Sequence, residues 1–255
     1  MGHTRLGDLP QTRRWIQVME LLDETTNPEE ITPKTIAAAE TGFLKATQDS
    51  GFKYAFWLLT QVTLAARKDS FSKELSKLGL EVPKKIGLFD ITGAFTKHID
   101  TYLAKTRERT DISEMGQLAA VETLTEKCLE RSRGLFGTSP ENVQQSIKDL
   151  STKRNFAILA RDFFSRFTYR YLNYFLSREA SKHVGLNQRF KNIDAHSAFN
   201  EALAVHCKQT AVIVQDFAGG WYSKTAYETG ITPKDAESFT AVALKKLLSE
   251  LKRGA

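Results

Sequence analysis

The sequence predicts an all-α fold, a multi-helix bundle of about eight to ten helices around one long central helix running from Lys153 to His183. Three observations predict it. Apolar residues recur with the helical period, as at Trp15, Val18, Met19 and Leu22, which line one face of a helix. Alternating apolar and polar runs with hairpin turns are missing, apart from a short extended piece near Leu80 to Ile86. The links between periodic stretches are short and carry Gly, Pro or polar residues, as the connections of a bundle do.

In chain order, the first helix begins near Pro10, after a turn-rich arm over Gly2 to Pro10. A second start is written as Ile31-Thr32-Pro33-Lys34, where Thr32 can cap free N–H groups and Pro33 occupies the first turn without losing a needed donor. The same four residues recur at Ile231 to Lys234, ahead of the last helix, Pro233 to Lys252. Between them, helices are expected over Gly51 to Arg67, Ser70 to Lys77, Leu88 to Lys105, Ser113 to Arg131, Pro140 to Leu150, Lys153 to His183 and His196 to Phe217. The chain of 255 residues reads as one helical domain, with a boundary near residues 79–87 as the second option.

Composition narrows the function classes. Hydrophobic residues at 41% and charged residues at 26% are ordinary globular values and argue against long disorder. Two cysteines, Cys128 and Cys207, are too few for a disulfide framework or a Cys-based zinc site, and the N-terminus lacks the apolar run of a signal peptide. Both point to the cytoplasm. The longest apolar stretch without a charge, Tyr54 to Ala66, falls short of the roughly 20 residues a membrane span needs.

Charge is unevenly placed. Lys153, Arg154, Arg161, Arg166, Arg170, Arg178, Lys182, Arg189 and Lys191 face only Asp162 and Glu179 within residues 153–191, so this segment is +7 and accounts for all of the net charge of +6. On a helical projection, Phe156, Phe163, Phe167, Tyr171 and Tyr174 share one face and Ile158, Tyr169, Leu172 and Leu176 another. A polar stripe of Asn155, Asp162, Arg166, Asn173 and Ser177 runs between them, with Arg170 at its edge. Asp162 and Arg166, four residues apart, are placed to pair within the helix, whereas Arg170 needs a carboxylate from elsewhere, solvent or a bound anion. Arg161, Arg166, Arg170, Arg178, Lys182, Arg189 and Lys191 are therefore the candidate anion-binding or nucleic-acid-binding residues.

No catalytic constellation stands out. The histidines form no HExxH or Cys/His cluster, so neither a metal nor another cofactor is expected. His206 lies on an apolar helix face and reads as a core histidine, His183 as a helix C-terminal residue, and His196 and Ser139 as parts of helix starts. Glu122, Glu126 and Glu130 recur at four-residue intervals and read as a solvated face. Ala218-Gly219-Gly220 reads as a helix terminus, with Trp221, Tyr222 and Lys224 on a surface recognition loop beyond it.

The expected function is a non-catalytic helical binding subunit acting in a larger protein assembly or on an anionic partner such as nucleic acid. The alternative is an enzyme whose site is assembled from several helices, with Arg166, Arg170, Asp162 and His206 meeting on an anionic substrate.

Overall fold

The computed structural model describes residues 13–23, 28–132, 140–180 and 193–253. Eleven α-helices are found there and no strand. They are α1 (Arg13–Asp23), α2 (Pro28–Leu44), α3 (Ser50–Ala65), α4 (Phe71–Lys77), α5 (Leu88–Thr106), α6 (Asp111–Ser132), α7 (Pro140–Leu150), α8 (Lys153–Ala180), α9 (Ile193–Thr210), α10 (Val212–Glu228) and α11 (Pro233–Arg253). The all-α prediction therefore holds, with differences at three places.

The first is at the repeated Ile-Thr-Pro-Lys. At residues 231–234 it starts a helix as expected: the Asp235 backbone N–H donates to Thr232 Oγ1 at 3.2 Å, and the Thr232 N–H donates back to Asp235 Oδ2 at 2.9 Å. At residues 31–34 the same phrase lies inside α2, which begins at Pro28. Pro28 takes the first helical position with Glu29 and Glu30 behind it, and a proline and acidic residues both suit a helix N-terminus.

The second difference corrects the Gly219-Gly220 terminus. Both glycines lie within α10, and so do Trp221, Tyr222 and Lys224, so no recognition loop exists there. A Cβ built on Gly219 would stand 2.4 Å from the Lys153 carbonyl oxygen, so α10 and α8 approach each other at backbone contact through this residue. Tyr222 is fully buried, stacks on Phe156 at 3.7 Å between ring centroids and shares a 2.9 Å hydrogen bond with Thr63. Trp221 stacks on Phe239 at 4.2 Å. Lys224 alone of the three points outward as an exposed side chain.

The third is the helix expected over His196 to Phe217, which is two helices parted at Ala211. There the Thr210 hydroxyl donates back to the His206 carbonyl at 2.9 Å, a side-chain bond that bends helices. The segment near Leu80 to Ile86 pairs with no strand, and both named residues are buried in the same core as the helices on either side.

The helix α8 lies against α6, α9 and α10, with α2 and α7 also in contact. Its aromatic face meets α3: Phe52 stacks around Phe163 and Phe167 at 5.4 and 4.3 Å, and Phe56 lies 5.3 Å from Phe163. Ring pairs at these separations combine large apolar burial with favourable tilted contacts. The phenylalanines of α8 are thus core, and only its polar stripe remains to be satisfied.

His206 follows its sequence reading as a packing residue, with a qualification: its Nε2 is buried without a hydrogen-bond partner among the described residues. Burial lowers the pKa of its ring. A histidine held neutral this way contributes stability above its ordinary value of 6.5 and loses it as the pH falls below that value. His206→Leu should therefore raise stability by about 1 kcal/mol at pH 7.5, since it removes an unsatisfied polar atom. Urea unfolding at pH 7.5 and 5.5 checks this: the gap over the parent widens at the lower pH.

Candidate functional site: a charged cleft between α6, α8 and α9

The polar stripe of α8 faces α6. Lys127 pairs with Asp162 at 2.9 Å, Glu126 with Arg166, and Glu122 with both Arg166 and Arg170. Partners rise along α6 as they fall along α8, so the two helices run antiparallel with their charged rows in register. Four-residue spacing places Glu122 and Glu126 on one face of α6, and Arg166 and Arg170 on the matching face of α8.

Asp162 sits at the closed end, its side chain 4% exposed. One oxygen accepts from Arg161 Nε at 3.0 Å and the other forms an ion pair with Lys127 Nζ at 2.9 Å. Lys127, 8% exposed, also reaches Glu130 at 2.9 Å. Burial alone would lower the Lys127 pKa, but the hydrogen bonds to Asp162 and Glu130 outweigh it and raise the value. Arg161 turns its Nη1 to Gln215 of α10 at 2.8 Å.

Two expectations are corrected here. Asp162 does not pair with Arg166 one turn along its own helix, because Lys127 and Arg161 already hold both its oxygens. Glu122, Glu126 and Glu130 are partly exposed, but they answer the cations of α8 and Lys127 and are more than a solvated face. Four carboxylates thus stand against Lys127, Arg161, Arg166 and Arg170, and the cationic surplus that the sequence places on this stretch of α8 is matched across the helix interface.

Beside this network lies a cleft of about 380 Å³. Glu122 of α6, Asp162, Ser165, Arg166, Tyr169 and Arg170 of α8, and Ala204 and Lys208 of α9 line it. A recess of about 300 Å³ adjoins it, sharing Tyr169 and Arg170 and continuing past Asn173 and Tyr174 towards Asp111, Glu114, Met115 and Leu118 of α6. Burial, then Cys207, raise the pKa of the Tyr169 hydroxyl against the opposing pull of Arg170, so the phenol is neutral in this cleft. The side chains of Arg166 and Arg170 are each 28% exposed, and their Nε atoms have no hydrogen-bond partner among the described residues.

Of the residues picked from sequence, Arg166 and Arg170 come together at the cleft and Arg161 braces its floor through Asp162. The side chain of Arg178, and Lys182, Arg189 and Lys191 altogether, lie outside the described residues, as do the expected N-terminal arm, Ser139 and His183. His206 does not line the cleft. Sequence reasoning missed Lys127, Lys208, Glu122 and Glu126 as site residues. The signal open to it was the four-residue acidic repeat on α6, whose spacing equals that of Arg166 and Arg170.

Among the described residues, no group of three or more His, Cys, Asp and Glu side chains is placed to hold a metal ion. No described helix is long and apolar enough to cross a membrane. Comparison of the chain with protein-family models, with curated proteins and with solved structures gives no match.

Proposed function

We propose that the chain is a non-catalytic helical binding subunit that works in a larger cytoplasmic assembly and grips an anionic group of its partner in the cleft between α6, α8 and α9. The observation that carries this reading is the convergence of Arg166, Arg170 and Lys208, from two helices, on one cleft. A guanidinium has five N–H donors in a planar fork, and Glu122 and Glu126 use only part of that capacity. In the lining of this cleft Arg166, Arg170 and Lys208 stand against Glu122 and Asp162, a surplus of positive charge that favours an anion there, while Asp111 and Glu114 line the adjoining recess. Cys128 and Cys207 are buried and in no disulfide, which suits a reducing compartment.

Calorimetric titration with inorganic phosphate tests the cleft, and co-purification from the native host tests the assembly. Parent protein should bind phosphate, and Arg170→Ala with Lys208→Ala should weaken it by about tenfold or more, the loss of two charge-assisted contacts. Parent-like affinity in that double variant would remove the cleft from the reading. Nucleic acid remains among the candidate anionic partners; a gel shift with single-stranded and double-stranded oligonucleotides tests it.

The enzyme alternative draws on the same cleft, since Arg166, Arg170 and Asp162 line it together. Asp162 has both oxygens held by cations, which leaves it badly placed to take a proton from a substrate.

A further inference from the structure

The cleft contains its own competitor. Glu122 offers one carboxylate oxygen to Arg170 Nη2 and the other to Arg166 Nη1 at 3.5 Å, so a single acidic side chain bridges two guanidiniums one turn apart. Glu126 reaches only Arg166. Any anion that takes up the inward donors of both arginines must displace the Glu122 carboxylate, which is tethered beside them and competes at an effective concentration of the order of millimolar.

That competition sorts anions by charge. A carboxylate or a phosphodiester carries one negative charge, as Glu122 does, so the exchange leaves the Coulomb energy nearly unchanged while the newcomer loses its freedom of motion. A phosphate monoester carries nearly two charges at neutral pH and three acceptor oxygens, and it gains from each guanidinium more than Glu122 gives up. Shape favours it too. Arg166 and Arg170 approach from α8 and Lys208 from α9, a spread of donors that a tetrahedral group can meet on several faces and a planar carboxylate cannot. Glu122, already 41% exposed, can turn to water when displaced.

We propose that the cleft selects a dianionic tetrahedral group, a phosphate monoester in chemical class, over phosphodiesters and carboxylates, and that Glu122 is the competitor each of them must displace. The proposal rests on the anion-binding reading above and narrows it: a terminal phosphate fits, and the diester backbone of a nucleic acid does not.

The test titrates methyl phosphate, dimethyl phosphate, acetate and sulfate into the full chain, followed by NMR or calorimetry. At pH 8, methyl phosphate and sulfate should bind about tenfold more tightly than dimethyl phosphate and acetate, a difference of about 1.4 kcal/mol. At pH 5 methyl phosphate takes up a proton, with a second pKa near 6, and should fall towards the diester. Sulfate stays dianionic throughout and separates protonation of the probe from any change in the charged and phenolic groups around the two arginines: Asp111, Glu114, Glu122, Glu126, Lys127 and Glu130 of α6, Asp162 and Tyr169 of α8, and Lys208 of α9. Glu122→Gln, which removes the competitor for every probe alike, should tighten all four and keep the ratio, whereas Glu126→Gln, which reaches only Arg166, should tighten them less. Equal binding of monoester and diester by the parent overturns the selectivity, and probes that Glu122→Gln binds no more tightly than the parent overturn the competition, while anion binding stands. If neither the parent nor Glu122→Gln binds any probe, the anion reading itself is lost. The melting profile of Glu122→Gln, a substitution at a part-exposed position, confirms that the variant is folded.

Discussion

Asp162→Ala is expected to lower stability by about 3 kcal/mol or more, the largest effect of any single charge removal in the molecule, and to shift the urea midpoint without changing the slope. Its carboxylate is nearly sealed from water and satisfies Lys127 and Arg161 at once. Without it, Lys127 stays buried and is left with Glu130, itself half in solvent, in place of the sealed carboxylate. Removing one member of a buried pair strands the other, so the loss exceeds the net worth of the pair. The double variant Asp162→Leu with Lys127→Met removes both charges and should recover most of the loss. The pair also sets an alkaline limit. Lys127, its pKa raised in the fold, contributes stability that is present below its ordinary value of 10.5 and is lost as the pH rises through the raised value. In Asp162→Ala that alkaline loss should be smaller.

The second large effect concerns two adjacent residues with opposite outcomes. Gly219→Ala places a Cβ 2.4 Å from the Lys153 carbonyl oxygen and 3.2 Å from Ala157 Cβ, where the nearest obstacle is backbone that cannot turn aside. The cost should be about 2 to 3 kcal/mol, enough to outweigh the gain of about 1 kcal/mol that alanine brings to a helix interior. Gly220→Ala meets nothing within 4 Å and should collect that gain, stabilising the protein by about 1 kcal/mol. Thermal melts of the two variants beside the parent decide it. Two shifts of the same sign would show that Gly219 is not a contact point between α8 and α10.

These residues also mark what could be read in advance. The faces of α8 follow from one helix's own periodicity, and Phe156, Phe163 and Phe167 are buried as that projection requires. Gly219-Gly220 misleads because paired glycines weaken a helix locally, while the reason for one of them is the neighbouring helix, which a linear string does not display. Ile-Thr-Pro-Lys shows the same limit within reach of sequence: Thr232 has Asp235 three residues on to complete a reciprocal cap, whereas the residue three beyond Thr32 is Thr35. The acidic partner at that position separates the true start from the copy inside α2. For the cleft, the surplus of arginine on α8 was visible but its neutralisation was not, since Glu122 and Arg170 are 48 residues apart and meet only through the antiparallel register of α6 and α8.

Ionic strength should act unevenly along the row of charges between α6 and α8. At about 0.1 M salt, screening sets in over roughly 10 Å for groups in contact with solvent and is much weaker for groups shut away from it. Glu122 and Glu126 stand at the wet end, Lys127 and Asp162 at the dry end. Added sodium chloride therefore loosens the carboxylates that guard Arg166 and Arg170 while the clamp between the two helices holds. The row of charges should thus give way at its solvent end first, with α6 and α8 kept in register by the sealed end.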